Sequence, residues 1–334
     1  MRKKMLILLV VGSMSCAMIG CQPKHNENYQ KMINSQNDIL PIYDYDDVEN
    51  EISDLDNLQE IMSNAVVEEW KNDNIVKPCG IVCLEDGIVV TDSETNSIIK
   101  IDYFGNVLKT IGQSGEEKLI SPGAIAEYAQ KLYVIDQGNN RIQVFDSDLN
   151  YIEKIDLKES KQLGPDYQPQ TIAVNETGVY VTGMSLHNPV IDWYQKGELQ
   201  EIGTNFIGSI REYNGQIYAI NSMGIYYDEK EDCFGAITTV PGKLMTIKGK
   251  KLREVCELPC GFGIRNFLLD EDGIICVSGS GASIYRLDME GKYIETIASL
   301  QGLENEEYPQ IAKSDQNEYF LVMPVAKKIY HIFE

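Results

Sequence analysis

Histidines, carboxylates, tyrosines and cysteines carry most of the chemistry open to this 334-residue chain, which has 51 acids, 19 tyrosines, eight cysteines and only three histidines. His25, His187 and His331 stand far apart, too few for the paired imidazoles of many metal and acid–base sites. Neither a Gly-x-Ser-x-Gly elbow, a His-Glu-x-x-His helix nor a phosphate loop occurs. Acids and tyrosines recur instead: Glu116, Glu117, Asp166, Tyr167, Glu304, Glu306, Glu307 and Tyr308 lie between strand-like stretches, and polar turns nearby hold Arg141, His187 and Asn188. Such groups offer oxygen ligands to Ca²⁺, aromatic faces to a glycan, and negative charge to a cationic peptide. We take Glu116, Arg141, Tyr167, His187, Asn188, Glu306 and Tyr308 as a candidate ligand-binding rim. No residue is assigned a catalytic role, and Ca²⁺ is the one cofactor these residue types suit.

Cys79 and Cys83 are four apart, as are Cys256 and Cys260. Four steps along a strand cover roughly 13 Å, beyond the reach of a disulfide, although Pro259 allows a turn between the second pair. Free buried thiols are the expectation, because the two pairs fall in different repeat units and leave zinc without a full ligand set.

The elements that must position these residues repeat. Leu132 to Asp146 (LYVIDQGNNRIQVFD) has a forerunner in Ile88 to Asp102 (IVVTDSETNSIIKID), with Asp136 standing 44 residues after Asp92. Each unit reads as a strand, a polar turn, a second strand, a tight turn and a further strand. Val179–Gly183, Ile217–Asn221, Ile274–Ser278 and Tyr319–Met323 take the same strand position, giving spacings of 44, 47, 38, 57 and 45, with an excursion over Asp228–Pro241 accounting for the 57. A period of about 40 to 50 residues with several short strands per unit signals a β-propeller. The recurring Asp92, Asp136, Asn96 and Asn140 read as turn-building parts, since Asp and Asn satisfy turn backbones.

These residues resemble the NHL repeat family: Pro122-Gly123-Ala124-Ile125-Ala126 followed by Tyr133 to Asp146 matches its proline-led strand, its hydrophobic strand ending in Asp, its Asn-Arg turn and its aromatic-Asp strand end. The resemblance implies an all-β, six-bladed β-propeller of four-stranded blades. Propellers similar to it include lyases, lactonases and esterases that use paired histidines or a carboxylate-bound divalent metal near the channel. Blades one to five each end in an outer strand, whereas the sixth lacks one. Val66–Trp70 is expected to supply it and close a ring spanning 66–334.

The preceding chain differs in character. Arg2, Lys3 and Lys4, the apolar run Met5–Val11 and the small-residue stretch to Gly20 have the order of a secretion signal over residues 1–20. Met18-Ile19-Gly20-Cys21 resembles a bacterial lipobox, which implies a lipid on Cys21. Residues 21–43 read as a flexible tether. Val48, Ile52, Leu55, Leu58 and Ile61 are spaced like one face of a helix, predicting an acidic amphipathic helix over 44–65. Removing the signal leaves 26 basic against 51 acidic groups, a balance that excludes nucleic acid, whose binding needs Lys and Arg at the phosphates. The expectation is a lipid-anchored propeller on the extracytoplasmic face of a bacterial cell membrane that binds a protein, peptide or glycan. The alternative is an extracytoplasmic hydrolase or lyase with a carboxylate-bound divalent metal in the channel.

Overall fold

The structure, a computed structural model, describes residues 42–48, 53–115, 118–157, 167–185, 188–228, 230, 233–238 and 240–333. The signal, Cys21 and nearly all of the tether lie outside them. Six blades of four antiparallel strands follow one another along the chain, and the sheet of blade 4 carries two further strands. Blade 1 is Pro78–Leu84, Gly87–Asp92, Ser97–Ile101 and Val107–Ile111, and blade 2 is Pro122–Tyr128, Lys131–Asp136, Arg141–Asp146 and Tyr151–Asp156. Blade 3 is Gln168–Asn175, Gly178–Ser185, Asn188–Gln195 and Glu198–Thr204, and blade 5 is Ile264–Asp270, Gly273–Ser278, Ser283–Leu287 and Tyr293–Ser299. The first strand of every blade touches the first strand of the next in an unbroken cycle. Those six strands therefore line a central channel.

The core lies between blades. Ile88 and Val90 pack with Ala312, Phe320 and Val322 of blade 6, while Val89, between them in sequence, packs with Ile125 and Val134 of blade 2. Successive side chains of a strand face opposite sides of its sheet, and in a propeller both sides meet a neighbour. The second strands consequently read as apolar runs, and all six residues of Gly87–Asp92 are buried.

Blade 6 is assembled from both ends of the described chain. Gln310–Lys313, Tyr319–Met323 and Lys328–Phe333 are joined by Val66–Glu69, which runs antiparallel to the last of them in the register Val66 to Phe333 and Glu69 to Tyr330. An uncovered sheet edge exposes unpaired backbone groups, and this strand covers the edge left by the sixth repeat. Beyond it, Trp70 sets its ring edge-on to Phe320 at 6.0 Å between centroids.

The helix expected over 44–65 does not form. Tyr45–Val48 is a single helical turn and Asp54–Asn57 a short 3₁₀ turn capped by Ser53. The rest of the described segment is an extended strap fastened to blade 5: the Ser63 N–H donates to the Thr296 carbonyl and the Thr296 N–H to Ile61, at 3.0 and 2.8 Å, while Asp54 and Cys260 bond each other. Leu55 and Leu58 still turn inward. Their spacing fits a helical face, but the backbone partners offered by Thr296 and Cys260 outweigh a local helix in a segment rich in Asp, a weak helix former. At the strap's start, Ile42–Asp44 pairs in parallel with Ile225–Tyr227, so the end of the expected tether is strand.

The excursion in blade 4 is a prolonged second strand. Gln216–Asp228 spans 13 residues; its first half joins Ile207–Tyr213, Lys243–Lys248 and Lys251–Glu257 in the blade, and its second half pairs with Cys233–Ile237.

Candidate ligand site at the channel mouth

One end of the channel is built by the turns after each second strand and by the links between blades. The inner strands begin there at equivalent rungs: Pro78 opposite Asp92, Pro122 opposite Asp136, Pro169 opposite Gly183, Gly208 opposite Asn221 and Ile264 opposite Ser278. Just past that rung the pairing skips, between Pro78 and Gly80, Pro169 and Thr171, and Ile264 and Asn266. A bulge releases a residue from the ladder and re-aims its side chain. The residues so released are Cys79, Gln170 and Arg265.

Gln170 crosses the mouth. Its Nε2 donates to the Tyr308 hydroxyl at 2.6 Å, joining blade 3 to the link that enters blade 6, half a ring away. Tyr308 is still 45% exposed, and burial, then the neighbouring Glu307, pushes its pKa above the usual phenol range. Arg265 lies over the turn of blade 5, where a Cβ on Gly279 would stand 2.7 Å from its Nε. The Arg265 Nε is buried without a hydrogen-bond partner; burial lowers the guanidinium's pKa, and Glu307 opposes that shift.

Arg211 lies deeper. It stands three rungs past Gly208, whereas Gln170 lies in the bulge before the first rung, so its place on the strand is two to three residues below Gln170, roughly 7 to 10 Å. Its Nε donates to the Phe267 carbonyl at 3.1 Å, and its Nη2 to Asn266 Oδ1 at 2.6 Å and the Ile311 carbonyl at 3.0 Å. One guanidinium thus ties blade 4 to blades 5 and 6. Every acceptor is neutral. Among the described residues no acceptor is placed for Nη1, and burial alone lowers the pKa to about 10.

Of the rim residues named from sequence that the structure describes, Tyr308 is bonded across the mouth. Arg141 is held by Asp136, whose Oδ2 accepts its Nε at 2.7 Å, and by the Lys118 carbonyl at 2.9 Å. Glu306 is 1% exposed and accepts the Val325 and Ala326 N–H groups at 2.8 and 2.7 Å, bracing the last turn. Tyr167 is buried beside Asp192, a blade 3 carboxyl in an apolar surrounding. Neither oxygen of Asp192 completes a hydrogen bond, and burial raises its pKa to about 7. Glu116 and His187 lie outside the described residues, and Asn188 is described only as the first residue of its strand. The recurring acids build turns: Asp92 accepts the Val76, Lys77, Glu94 and Thr95 N–H groups. Asn96 and Asn140 hold φ of 56° and 50°, the left-handed region that Asn tolerates.

Among the described residues no three His, Cys, Asp or Glu side chains converge as a metal site. Cys79, Cys83, Cys256, Cys260 and Cys276 are free thiols, with burial raising Cys256 to about 11 and Cys83 to about 12. Two surface clefts lie away from the mouth. One, of about 420 Å³, runs between the strap and blades 4 and 5; the other, of about 340 Å³, sits between blades 5 and 6 beside the ion pairs of Asp270 with Arg286 and Lys313.

The fold and site define a six-bladed β-propeller whose channel mouth carries Gln170, Tyr308 and Arg265. No protein-family model matches the chain, and no curated protein matches its sequence. Among solved structures it is similar to a streptogramin B lyase, at a TM-score of 0.55 and 15% identity over 80% of this chain and 97% of that one. It is similar to a virginiamycin B lyase from Staphylococcus aureus at 0.55 and 14%, over 81% and 100% of the two chains. A gluconolactonase from Xanthomonas campestris gives 0.56 and 12%, over 84% and 93%. At such identities the likeness is one of fold.

Proposed function

We propose that the protein is a lipid-anchored, extracytoplasmic binding module of a bacterial cell, related to NHL-repeat propellers, that receives a protein, peptide or glycan at the channel mouth. The observation that carries this reading is the Gln170–Tyr308 bridge beside Arg265: inner-strand bulges turn a side-chain amide and a guanidinium out of their ladders, next to a half-exposed phenol. These are hydrogen-bonding and stacking groups, with the Glu307 carboxylate beside both the phenol and the guanidinium. Such a constellation suits recognition, in which a few placed polar groups orient a ligand. The fold neighbours named above are enzymes, and the likeness to them is one of fold.

The location is supported by the order of charged, apolar and small residues before Cys21. It is tested by feeding cells labelled palmitate: the wild-type protein should take up label and partition with membranes, and Cys21→Ser should do neither. Binding is tested by probing peptide and glycan arrays with purified protein. Binders of the wild type should lose about 10-fold or more in affinity with Tyr308→Ala, the range for removing an interface anchor. Binding indifferent to both Tyr308→Ala and Gln170→Ala would refute the mouth as the site.

A further inference from the structure

We propose that Tyr167 and Asp192 form a proton-operated latch on the link into blade 3, which keeps Gln170 bridged to Tyr308 while Asp192 is protonated and releases it when Asp192 ionises. This rests on the binding reading above and adds the regulation of that site.

Paired residues of neighbouring strands share a side of the sheet. Val181 pairs with Asp192 and Gly183 with Val190; Val181 and Val190 both pack toward blade 2, so Asp192 looks the same way. Tyr167 belongs to that cluster too. Its ring lies against Gly183, where a Cβ would stand 2.7 Å from Cε2 and 2.8 Å from Cζ. Asp192 is two residues, about 7 Å, below that rung, a depth that a tyrosine side chain spans. Phenol and carboxyl are neighbours there: burial, then the Asp192 carboxyl, raises the Tyr167 pKa. The Tyr167 hydroxyl and both Asp192 oxygens are buried, and none completes a hydrogen bond.

Among the described residues the surroundings of Asp192 supply no cation. The outer strand brings Glu201, its register partner, whose carboxylate disfavours a second negative charge. Blade 2 brings Ile142, Val144, Ile155 and Leu157. The other titratable groups of the cluster are the phenols of Tyr128, Tyr133 and Tyr194, and the charged neighbours of Tyr133 are Glu127 and Glu153. Arg141 alternates with Ile142 and so faces the other side of blade 2, where it bonds Asp136.

A carboxyl out of water without donors is held in its neutral form. Burial raises Asp192 to about 7, opposed by the Tyr167 hydroxyl and reinforced by Glu201. Neutral, it needs the phenol alone, one O–H donating and one oxygen accepting. Ionised, it has two oxygens to satisfy and a single hydroxyl to serve them. The further donor is water, which reaches the carboxylate when the Tyr167 ring lifts off Gly183. Tyr167 leads directly into the inner strand, where Gln168 and Pro169 separate it from Gln170. A lifted ring therefore pulls on the residue whose Nε2 makes the 2.6 Å bond to Tyr308.

The test follows backbone hydrogen exchange of the purified full-length protein by mass spectrometry from pH 4 to 9, comparing wild type with Asp192→Asn at each pH so that the chemistry of exchange cancels. A carboxyl that titrates at about 4 in the open link and about 7 in the closed one favours opening by up to about tenfold per pH unit between those values and by nothing more above them. Exchange of 167–172 relative to the variant should show that rise and plateau, while 217–222 in blade 4 stays level. The slope is read rather than the level, because Asn also alters packing. Tyr167→Phe gives a second reading: without the hydroxyl that opposes the shift, the rise should continue to a higher pH than in wild type. Equal slopes for wild type and Asp192→Asn, a rise shared by 217–222, or a plateau unmoved by Tyr167→Phe overturns the latch. If array ligands depend on Tyr308 while the slopes are equal, the latch is wrong and the mouth stands. If the slopes differ as expected and array ligands ignore Tyr308 and Gln170, the latch stands and the mouth fails.

Discussion

Replacing Glu68 with proline should loosen the ring, whereas replacing Val67, one residue earlier, should leave it nearly intact. The Trp70 N–H donates to the Ile329 carbonyl at 2.8 Å, in register with Val66 to Phe333 and Glu69 to Tyr330. In an antiparallel pair the bonded and non-bonded rungs alternate. Glu68 therefore sits on a bonded rung with His331, and the Val67 N–H points to the free edge. Both side chains are exposed, so packing contributes little to the comparison. Proline at 68 removes a ladder bond, worth about 1 kcal/mol, and sets its ring against Lys328–Phe333, for a total of about 2 to 3 kcal/mol. At roughly 2 to 4 °C per kcal/mol for a domain of this size, the melting midpoint should fall by about 4 to 12 °C. Proline at 67 faces solvent and should cost no more than about 0.5 kcal/mol, as for other surface changes. Scanning calorimetry of the two variants decides the matter. Equal losses, or no loss with Glu68→Pro, would show that this strand does not close blade 6 in this register.

Three further outcomes follow from buried polar groups. Asp136 accepts from Ile120, Asn139, Arg141 and Gln143 and is fully buried, so Asp136→Ala should cost about 3 to 5 kcal/mol, as for breaking a buried charge pair; a urea midpoint within about 1 kcal/mol of wild type would contradict the network. Asp192 is raised from 3.8 to about 7 in the folded protein. A raised carboxyl favours the protonated fold, so its influence is most favourable below pH 4, fades as pH climbs to 7, and reaches a ceiling of about 4 kcal/mol at 1.36 kcal/mol per pK unit. Asp192→Asn should remove that decline, and superimposable stability–pH curves for the two proteins would rule the effect out. Finally, Cys83 and Cys276, whose burial pushes them far above the ordinary thiol range, should resist a thiol reagent until denaturant is added; modification of either in the native protein would show that its blade opens.

The propeller was legible in the sequence because its repeats mark structural rungs. Asp92 and Asp136 recur since each gathers the N–H groups of a turn and of the incoming link, and Pro78, Pro122 and Pro169 recur at the rung facing the mouth. The closing strand could be read from a missing outer strand. Chemistry at the mouth was not so visible, for the same reason. The turn acids are spent on backbone, and the channel groups come from the degenerate units, where Gly208 and Ile264 replace the leading proline. Aligning the repeats on that rung would have placed Gln170 and Arg265 together as its next residue. The strap was misread because its apolar spacing suits a helix, and the edge of blade 5 that overrides it is some 230 residues away in sequence.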